Sequence, residues 1–121
     1  MKLLIVDDSL VIRNKINRGL LTRFEKISRA ENGHQALKLA QAEQPDLITM
    51  DLTMPHMGGV ECIQSLVKML PQAYILVISA LSDKATAIDA LTYGANGFLC
   101  KPFTEDELCS AIERVLAVGR R

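Results

Sequence analysis

The chain has 121 residues, of which 49% are hydrophobic, and its 14 Lys and Arg balance 14 Asp and Glu. This length suits one hydrophobic core, so we expect a single domain over residues 1–121. The balanced charge, and the lack of basic clusters interleaved with aromatics, exclude a direct role in binding nucleic acid. Because no apolar stretch reaches about 18 residues and Asp7 and Asp8 interrupt the apolar start, we expect a soluble cytoplasmic protein.

Short apolar runs alternate with longer segments of helical periodicity, which is typical of βα units around a parallel sheet. Strands are predicted at 3–6, 26–30, 47–50, 74–78 and 97–100. The run 74–78 is the most apolar and predicts an interior strand that is covered on both faces. Helices are predicted at about 9–21 with Ser9 as N-cap, then before Pro45, and then between a turn at 55–59 and Pro71.

Two more helices are predicted in the last third of the chain. In the fourth helix we expect Ala85, Ile88 and Leu91 to face the core. The fifth helix is predicted to begin at a capping box over residues 104–107, where Thr and Glu stand three positions apart, and to run to about Val118.

The three cysteines, Cys62, Cys100 and Cys109, are odd in number and lack the short paired spacing of a zinc site or a redox motif. We interpret them as reduced thiols that fill small apolar gaps. His34 and His56 are far from any second soft ligand, so they are expected in loops or at helix starts and not in a transition-metal site.

Polar side chains stand at the carboxyl ends of four predicted strands. They are Asp7 and Asp8 after the first strand, Asp51 after the third, Ser79 after the fourth and Lys101 after the fifth. Because the carboxyl ends of parallel strands meet at one edge of a sheet, we expect these groups to converge there.

Three carboxylates and one ammonium suit a hard cation and a phosphoryl group. Mg²⁺ prefers oxygen ligands, which Asp8 and Asp51 can supply, with Asp7 acting in the second shell or through a water. A carboxylate can also accept a phosphoryl group as an aspartyl phosphate, while Lys101 acts as a point charge and Ser79 donates to a phosphate oxygen. We further predict a cis peptide bond between Lys101 and Pro102 that aims the lysine toward this edge.

With these motifs the chain resembles, over nearly its whole length, the receiver domain of two-component response regulators, a CheY-like family. The matching motifs are Val6-Asp7-Asp8-Ser9, Met50-Asp51-Leu52-Thr53-Met54-Pro55 with Gly59, Ile78-Ser79-Ala80 and Lys101-Pro102-Phe103. The resemblance implies a doubly wound, flavodoxin-like α/β fold of five parallel strands in the order 2-1-3-4-5.

The resemblance also implies a role for each matching residue. Asp51 would be the phosphoacceptor, Asp7 and Asp8 the acidic pair with Asp8 as a direct Mg²⁺ ligand, and Thr53 the source of a carbonyl ligand. Ser79 would be the switch hydroxyl, Lys101 the phosphate-contacting lysine and Phe98 the switch aromatic.

The function implied is a phosphorylation-activated signalling switch and not an enzyme with an external substrate. A histidine kinase would be the phosphodonor, and the downstream target would be a protein such as a flagellar motor switch or an adaptor, as in chemotaxis. Three positions depart from the common pattern of the family: Gly58 stands where Asp is frequent, Phe98 where Tyr is frequent and Leu81 where polar residues are frequent.

Two other classes of protein use related chemistry or architecture. One is a Mg²⁺-dependent phosphatase that forms an aspartyl-phosphate intermediate, but Thr53 stands where such an enzyme needs a second carboxylate two positions after Asp51. The other is a flavin-binding module, but the loop after the first strand is acidic where a phosphate cradle needs glycines and hydroxyls.

Overall fold

Strands and helices alternate along residues 1–52, 58–80 and 84–117, which are the residues that the computed structural model describes. The strands are β1 Lys2–Val6, β2 Lys26–Ala30, β3 Leu47–Asp51, β4 Tyr74–Ala80 and β5 Gly97–Lys101. The helices are α1 Leu10–Leu20, α2 Gly33–Glu43, α3 Gly59–Met69, α4 Lys84–Thr92 and α5 Glu105–Ala117. All strand pairs are parallel and the order is β2-β1-β3-β4-β5, which confirms the predicted fold.

Helices cover both faces of the sheet, because alternate residues of each interior strand are apolar on both sides. One face packs against α1 and α5, through buried residues that include Ile5, Ile16, Leu20, Leu76, Leu108 and Ile112. The other face packs against α2, α3 and α4, through buried residues that include Leu4, Ala36, Ile48, Ile63, Val77 and Ala90. The sheet therefore separates two apolar cores.

The interior strand predicted at 74–78 is confirmed, since every residue of β4 from Tyr74 to Ser79 is buried. Three strands run further at their carboxyl ends than the sequence predicted. Asp51, Ser79 and Lys101 lie inside β3, β4 and β5 and not in the loops that follow. The backbone of these three candidates is thus held by the pairing of their strands.

The predicted inner face of α4 was wrong. Ile88 and Leu91 are 56% and 43% exposed, whereas Ala87 and Ala90 are buried at 1% and 0%. Ala85 is exposed as well. Small residues let this helix lie close to the sheet, so the buried stripe follows alanine and not the larger side chains that hydrophobicity alone favours.

Two predicted helix starts are confirmed by their hydrogen bonds. Ser9 Oγ accepts from the backbone N–H of Ile12 at 3.3 Å. Thr104 and Glu107 form the reciprocal capping box: Glu107 N–H donates to Thr104 Oγ1 at 3.1 Å, and Thr104 N–H donates to Glu107 Oε1 at 2.9 Å. The end predicted near Val118 lies outside the described residues.

All three cysteines are free thiols, as predicted. Cys62 lies on the buried face of α3, and burial raises the pKa of its thiol to about 12. Cys100 and Cys109 are partly exposed. Within the described part of the chain, none of the helices combines the length and the apolar character needed to cross a bilayer.

Candidate functional site

The acidic pair follows directly after β1. Asp7 is 1% exposed, and its Oδ1 accepts the backbone N–H of Ser9 at 2.9 Å, while Asp8 is exposed. The backbone of Asp7 is held on two sides, since its N–H donates to Ala30 O at 3.1 Å and its carbonyl accepts from Arg13 Nη1 at 2.6 Å. The loop therefore presents one buried and one exposed carboxylate.

Asp51 is the last residue of β3 and is 5% exposed. The start of α3 packs directly against the chain here, because Gly59 N–H donates to Leu52 O at 3.0 Å. A Cβ at position 59 would lie 2.5 Å from Leu52 Cα and 2.6 Å from Asp51 O, so only glycine fits there. Gly59 thus fixes the backbone that carries Asp51.

Asp7, Asp8 and Asp51 form one cluster, as predicted. Carboxylate oxygens from all three lie within 4.8 Å of one another. Like charges at this distance repel, and a cation bound among the three carboxylates would offset this repulsion. Oxygen-only donors are the set that Mg²⁺ and Ca²⁺ prefer.

Lys101, the last residue of β5, reaches this cluster. Its Nζ lies 3.1 Å from Asp7 Oδ2 and 3.5 Å from Asp51 Oδ1, and its side chain is 24% exposed. Burial by itself lowers the pKa of this ammonium, but the charges of Asp7 and Asp51 more than offset burial, and the pKa lies above its ordinary value. Lys101 therefore stays cationic. The predicted cis bond between Lys101 and Pro102 is confirmed.

Ser79 lies at the end of β4, one position after the residue that pairs with Asp51. It is 2% exposed, and within residues 1–52, 58–80 and 84–117 its Oγ finds no hydrogen-bond partner. A buried hydroxyl without a partner is unfavourable by about 1–3 kcal/mol, and at this edge of the sheet the Ser79 hydroxyl can donate to a ligand.

Phe98 is partly buried on β5 and packs against the core under α2, α3 and α4. It pairs in register with Val77, and the next residue on the same face, Cys100, pairs with Ser79. Strand alternation places Phe98 and Ser79 on one face of the sheet. A change at Ser79 can therefore reach the aromatic ring through neighbouring side chains.

Of the predicted site residues, Thr53 lies outside the described residues, as does Leu81. Gly58 is described and is the N-cap of α3 without a side-chain cap. Among the described residues, nothing lies within 4 Å of a Cβ built at position 58. Glycine at this position therefore leaves α3 without a side-chain cap.

Sequence reasoning missed two basic residues of α1 that support the site. Arg13 binds the carbonyl of Asp7, and Lys15 Nζ donates to the carbonyl of Phe103. Both lie on the helix that follows the acidic pair. Basic residues within two turns of a functional loop were the available signal, but sequence alone could not show which carbonyls they reach.

Comparison with known proteins points to one family. The model of the response regulator receiver domain matches residues 3–113. The chemotaxis protein CheY of Bacillus subtilis is 39% identical over 116 residues, which cover 95% of this chain and 97% of that protein.

Two solved structures have the same fold. NtrX from Brucella abortus, in complex with ADP, superposes with a TM-score of 0.90 at 27% identity, over 97% of this chain and 27% of that longer one. A response regulator from Burkholderia pseudomallei superposes with a TM-score of 0.84 at 34% identity, over 97% of this chain and 69% of that one. That structure holds a phosphorylated aspartic acid, a calcium ion and citrate.

Proposed function

The chain belongs to the family of response regulator receiver domains of two-component systems, and we propose that it is a switch that accepts a phosphoryl group on Asp51. The proposed receiver domain spans residues 1–121. The observation that carries the proposal is the position of Asp51, whose buried carboxylate lies 3.5 Å from Lys101 Nζ and beside Asp7 and Asp8. The phosphorylated aspartic acid of the Burkholderia pseudomallei relative supports the same chemistry.

The carboxylate cluster fits a divalent cation, and we propose Mg²⁺. Asp7 Oδ2 is buried, and Lys101 Nζ lies 3.1 Å from it. Asp8 and Asp51 would hold the ion directly, with Asp7 behind them and the carbonyl of Thr53 as a further ligand. When bound, Mg²⁺ supplies positive charge beside the oxygens of the phosphoryl group.

In the proposed transfer, an oxygen of Asp51 attacks the phosphorus of a phosphohistidine on a kinase. The P–N bond breaks, its electron pair stays on the imidazole nitrogen, and the leaving imidazole takes up a proton from solvent, while an acyl phosphate forms on Asp51. Phosphoryl transfer depends mainly on position and on neutralisation of charge. Lys101 supplies a fixed positive charge, because its neighbours hold its pKa above the ordinary value.

The response is proposed to begin at Ser79. A phosphoryl group adds nearly two negative charges and three strong acceptors, and the buried Ser79 hydroxyl can donate to one of them. Movement of Ser79 would open space on the face of the sheet where Phe98 is partly buried. Phe98 has no hydroxyl, so its change of position relies on packing alone.

Receiver domains take their phosphoryl group from histidine kinases and act on downstream targets. We propose a histidine kinase as the donor for this chain. Similarity to a chemotaxis protein over almost the full length of both chains supports a role in chemotaxis. The proposed target is a protein such as a flagellar motor switch or an adaptor, reached through the surface near Phe98.

The test is intact mass spectrometry after incubation with acetyl phosphate. We expect one added phosphoryl group on the wild-type protein when Mg²⁺ is present, and none when Mg²⁺ is chelated. Asp51→Asn should take no label, since an amide oxygen is a poor nucleophile, and the label on the wild type should be released by hydroxylamine. Stoichiometric labelling of Asp51→Asn would show that another residue is the acceptor.

A panel of phosphomonoesters separates the switch from a phosphatase. The proposed switch labels itself and turns over no added ester. Sustained release of phosphate from an ester by the wild type, lost in Asp51→Asn, would replace the switch by an enzyme.

A further inference from the structure

Lys101 is the last residue of β5, so the position of its ammonium depends both on the strand before it and on the segment after it. Pro102 has no backbone N–H, so it cannot anchor this segment by donating a hydrogen bond. Phe103 is the next residue and is 3% exposed, with its ring inside the core beneath α1 and α5. The placement of Lys101 therefore depends in part on what holds Phe103.

Lys15 of α1 makes two contacts with Phe103. Its Nζ donates to the carbonyl oxygen of Phe103, and the same Nζ lies 4.6 Å from the centroid of the Phe103 ring. The first contact fixes the backbone two residues after Lys101, and the second is a cation–π contact that fixes the ring. One side chain thus holds both the main chain and the side chain of Phe103.

A neutral side chain would lose the cation–π contact, even where it could still donate to the carbonyl. An apolar residue at position 15 could cover the ring but could not donate to the carbonyl. An ammonium carries three donors on a long flexible stem, so it can bind the carbonyl and still lie over the ring.

We propose that Lys15 is a positioning residue for phosphoryl transfer, which acts by holding the 101–103 segment so that Lys101 faces Asp7 and Asp51. The inference rests on the proposed function. Lys15 itself touches neither the acceptor nor the phosphoryl group.

The test compares labelling by acetyl phosphate in Lys15→Met and in a matched control. Lys15→Met keeps the apolar stem over the ring and loses the ammonium. We expect its labelling rate to fall about tenfold, less than the roughly hundredfold that a 1 Å misplacement can cause. Lys15→Arg should restore most of the rate, because a guanidinium also donates and lies over aromatic rings.

Lys38→Met is the control for charge. Lys38 is exposed on α2, and no contact of its side chain is recorded within the described residues. This variant makes the same chemical change far from Phe103, so it should label at the wild-type rate. Equal losses in Lys15→Met and Lys38→Met would overturn the inference.

Two further readouts separate positioning from a general loosening of α1. Loosening would disturb the acidic pair and weaken Mg²⁺ binding, whereas positioning through Lys101 leaves Mg²⁺ affinity unchanged or tighter. In a Lys101→Met background, Lys15→Met should change the slow labelling rate by less than about twofold, the usual error of additivity. A full tenfold loss in that background, or weaker Mg²⁺ binding in Lys15→Met, would refute it. A wild-type protein that takes no label would instead refute the proposed function.

Discussion

Buried or half-buried polar side chains have different roles at the two ends of the parallel strands. We call these ends the amino edge and the carboxyl edge of the sheet. At the amino edge, side-chain oxygens accept hydrogen bonds from backbone N–H groups. Lys2 N–H donates to Asp46 Oδ2 at 2.7 Å, and Ile75 N–H donates to Asn96 Oδ1 at 2.8 Å. Each of these side chains completes a strand end.

At the carboxyl edge, the buried Asp7 Oδ2 faces the Lys101 ammonium at 3.1 Å and not a backbone N–H. The Ser79 hydroxyl has no hydrogen-bond partner within residues 1–52, 58–80 and 84–117. Three carboxylates also crowd together here. The difference teaches that residue type alone does not mark a site: Asp7 also accepts a backbone N–H, from Ser9, and what distinguishes the carboxyl edge is the crowding of three carboxylates near Lys101.

The largest expected effect is a loss of Mg²⁺ affinity, caused by a substitution at the carboxyl edge. Asp8→Asn should weaken Mg²⁺ binding by roughly 10- to 100-fold, because it removes a charge from the cluster. The free energy of unfolding should change by less than about 0.5 kcal/mol, since Asp8 is exposed. Isothermal titration calorimetry and urea denaturation measure the two quantities. Unchanged Mg²⁺ affinity would remove Asp8 from the site.

The second prediction concerns the amino edge, where a substitution should lower stability and leave Mg²⁺ affinity unchanged. Asp46→Ala should lower the free energy of unfolding by about 2 kcal/mol, because it leaves the N–H of Lys2 without its charged acceptor. Asp46→Asn keeps an acceptor and should lose less. Mg²⁺ affinity and labelling should match the wild type in both variants. A loss of Mg²⁺ affinity in Asp46→Ala would show that the two edges are coupled.

The fold could be predicted from sequence because each element carries a local signal. Runs of buried residues such as 74–78 and the capping box at 104–107 specify strands and helices with little help from the rest of the chain. The face of α4 was missed because Ala87 and Ala90 pack by closeness to the sheet, which depends on tertiary contacts.

The candidate site was predicted in part. Asp7, Asp8, Asp51 and Lys101 converge as expected because parallel strands bring their carboxyl ends to one edge. Lys15 was missed because its contact with Phe103 joins residues 88 positions apart. The roles of Ser79 and Phe98 stay predictions, as does that of Thr53.

The third prediction concerns Thr49, which lies between the two edges. It is 1% exposed, and its Oγ1 has no hydrogen bond within the described residues. Its neighbours in register, Ile5 and Leu76, are fully buried, so a ligand at the carboxyl edge does not reach it. Thr49→Val keeps the shape and should raise the free energy of unfolding by about 1 kcal/mol.

Urea denaturation measures this change, with Thr49→Ser as the variant that keeps the hydroxyl. Labelling by acetyl phosphate should be the same in Thr49→Val as in the wild type. Slower labelling in Thr49→Val, restored in Thr49→Ser, would extend the carboxyl-edge site down β3 to Thr49.

The smallest effect is expected from Cys62. This effect is a change of stability with pH, and it does not occur at neutral pH. The buried thiol has a pKa of about 12, above its ordinary value near 9, so the folded state favours the protonated form. Below about pH 9 both states hold the proton and Cys62 adds no pH dependence. Above it the unfolded chain releases the proton first, so stability falls as pH rises, by about 1 kcal/mol at pH 10.

This prediction is tested with the difference between wild type and Cys62→Ala, because the difference cancels other groups that titrate at high pH. The difference in unfolding free energy should be constant from pH 7 to 8.5 and then shrink. At pH 8, a thiol reagent should modify Cys100 and Cys109 in the folded protein and leave Cys62 unmodified. A difference that stays constant to pH 10, or rapid modification of Cys62, would show that the core under α3 opens to solvent, because only hydration would restore an ordinary thiol pKa.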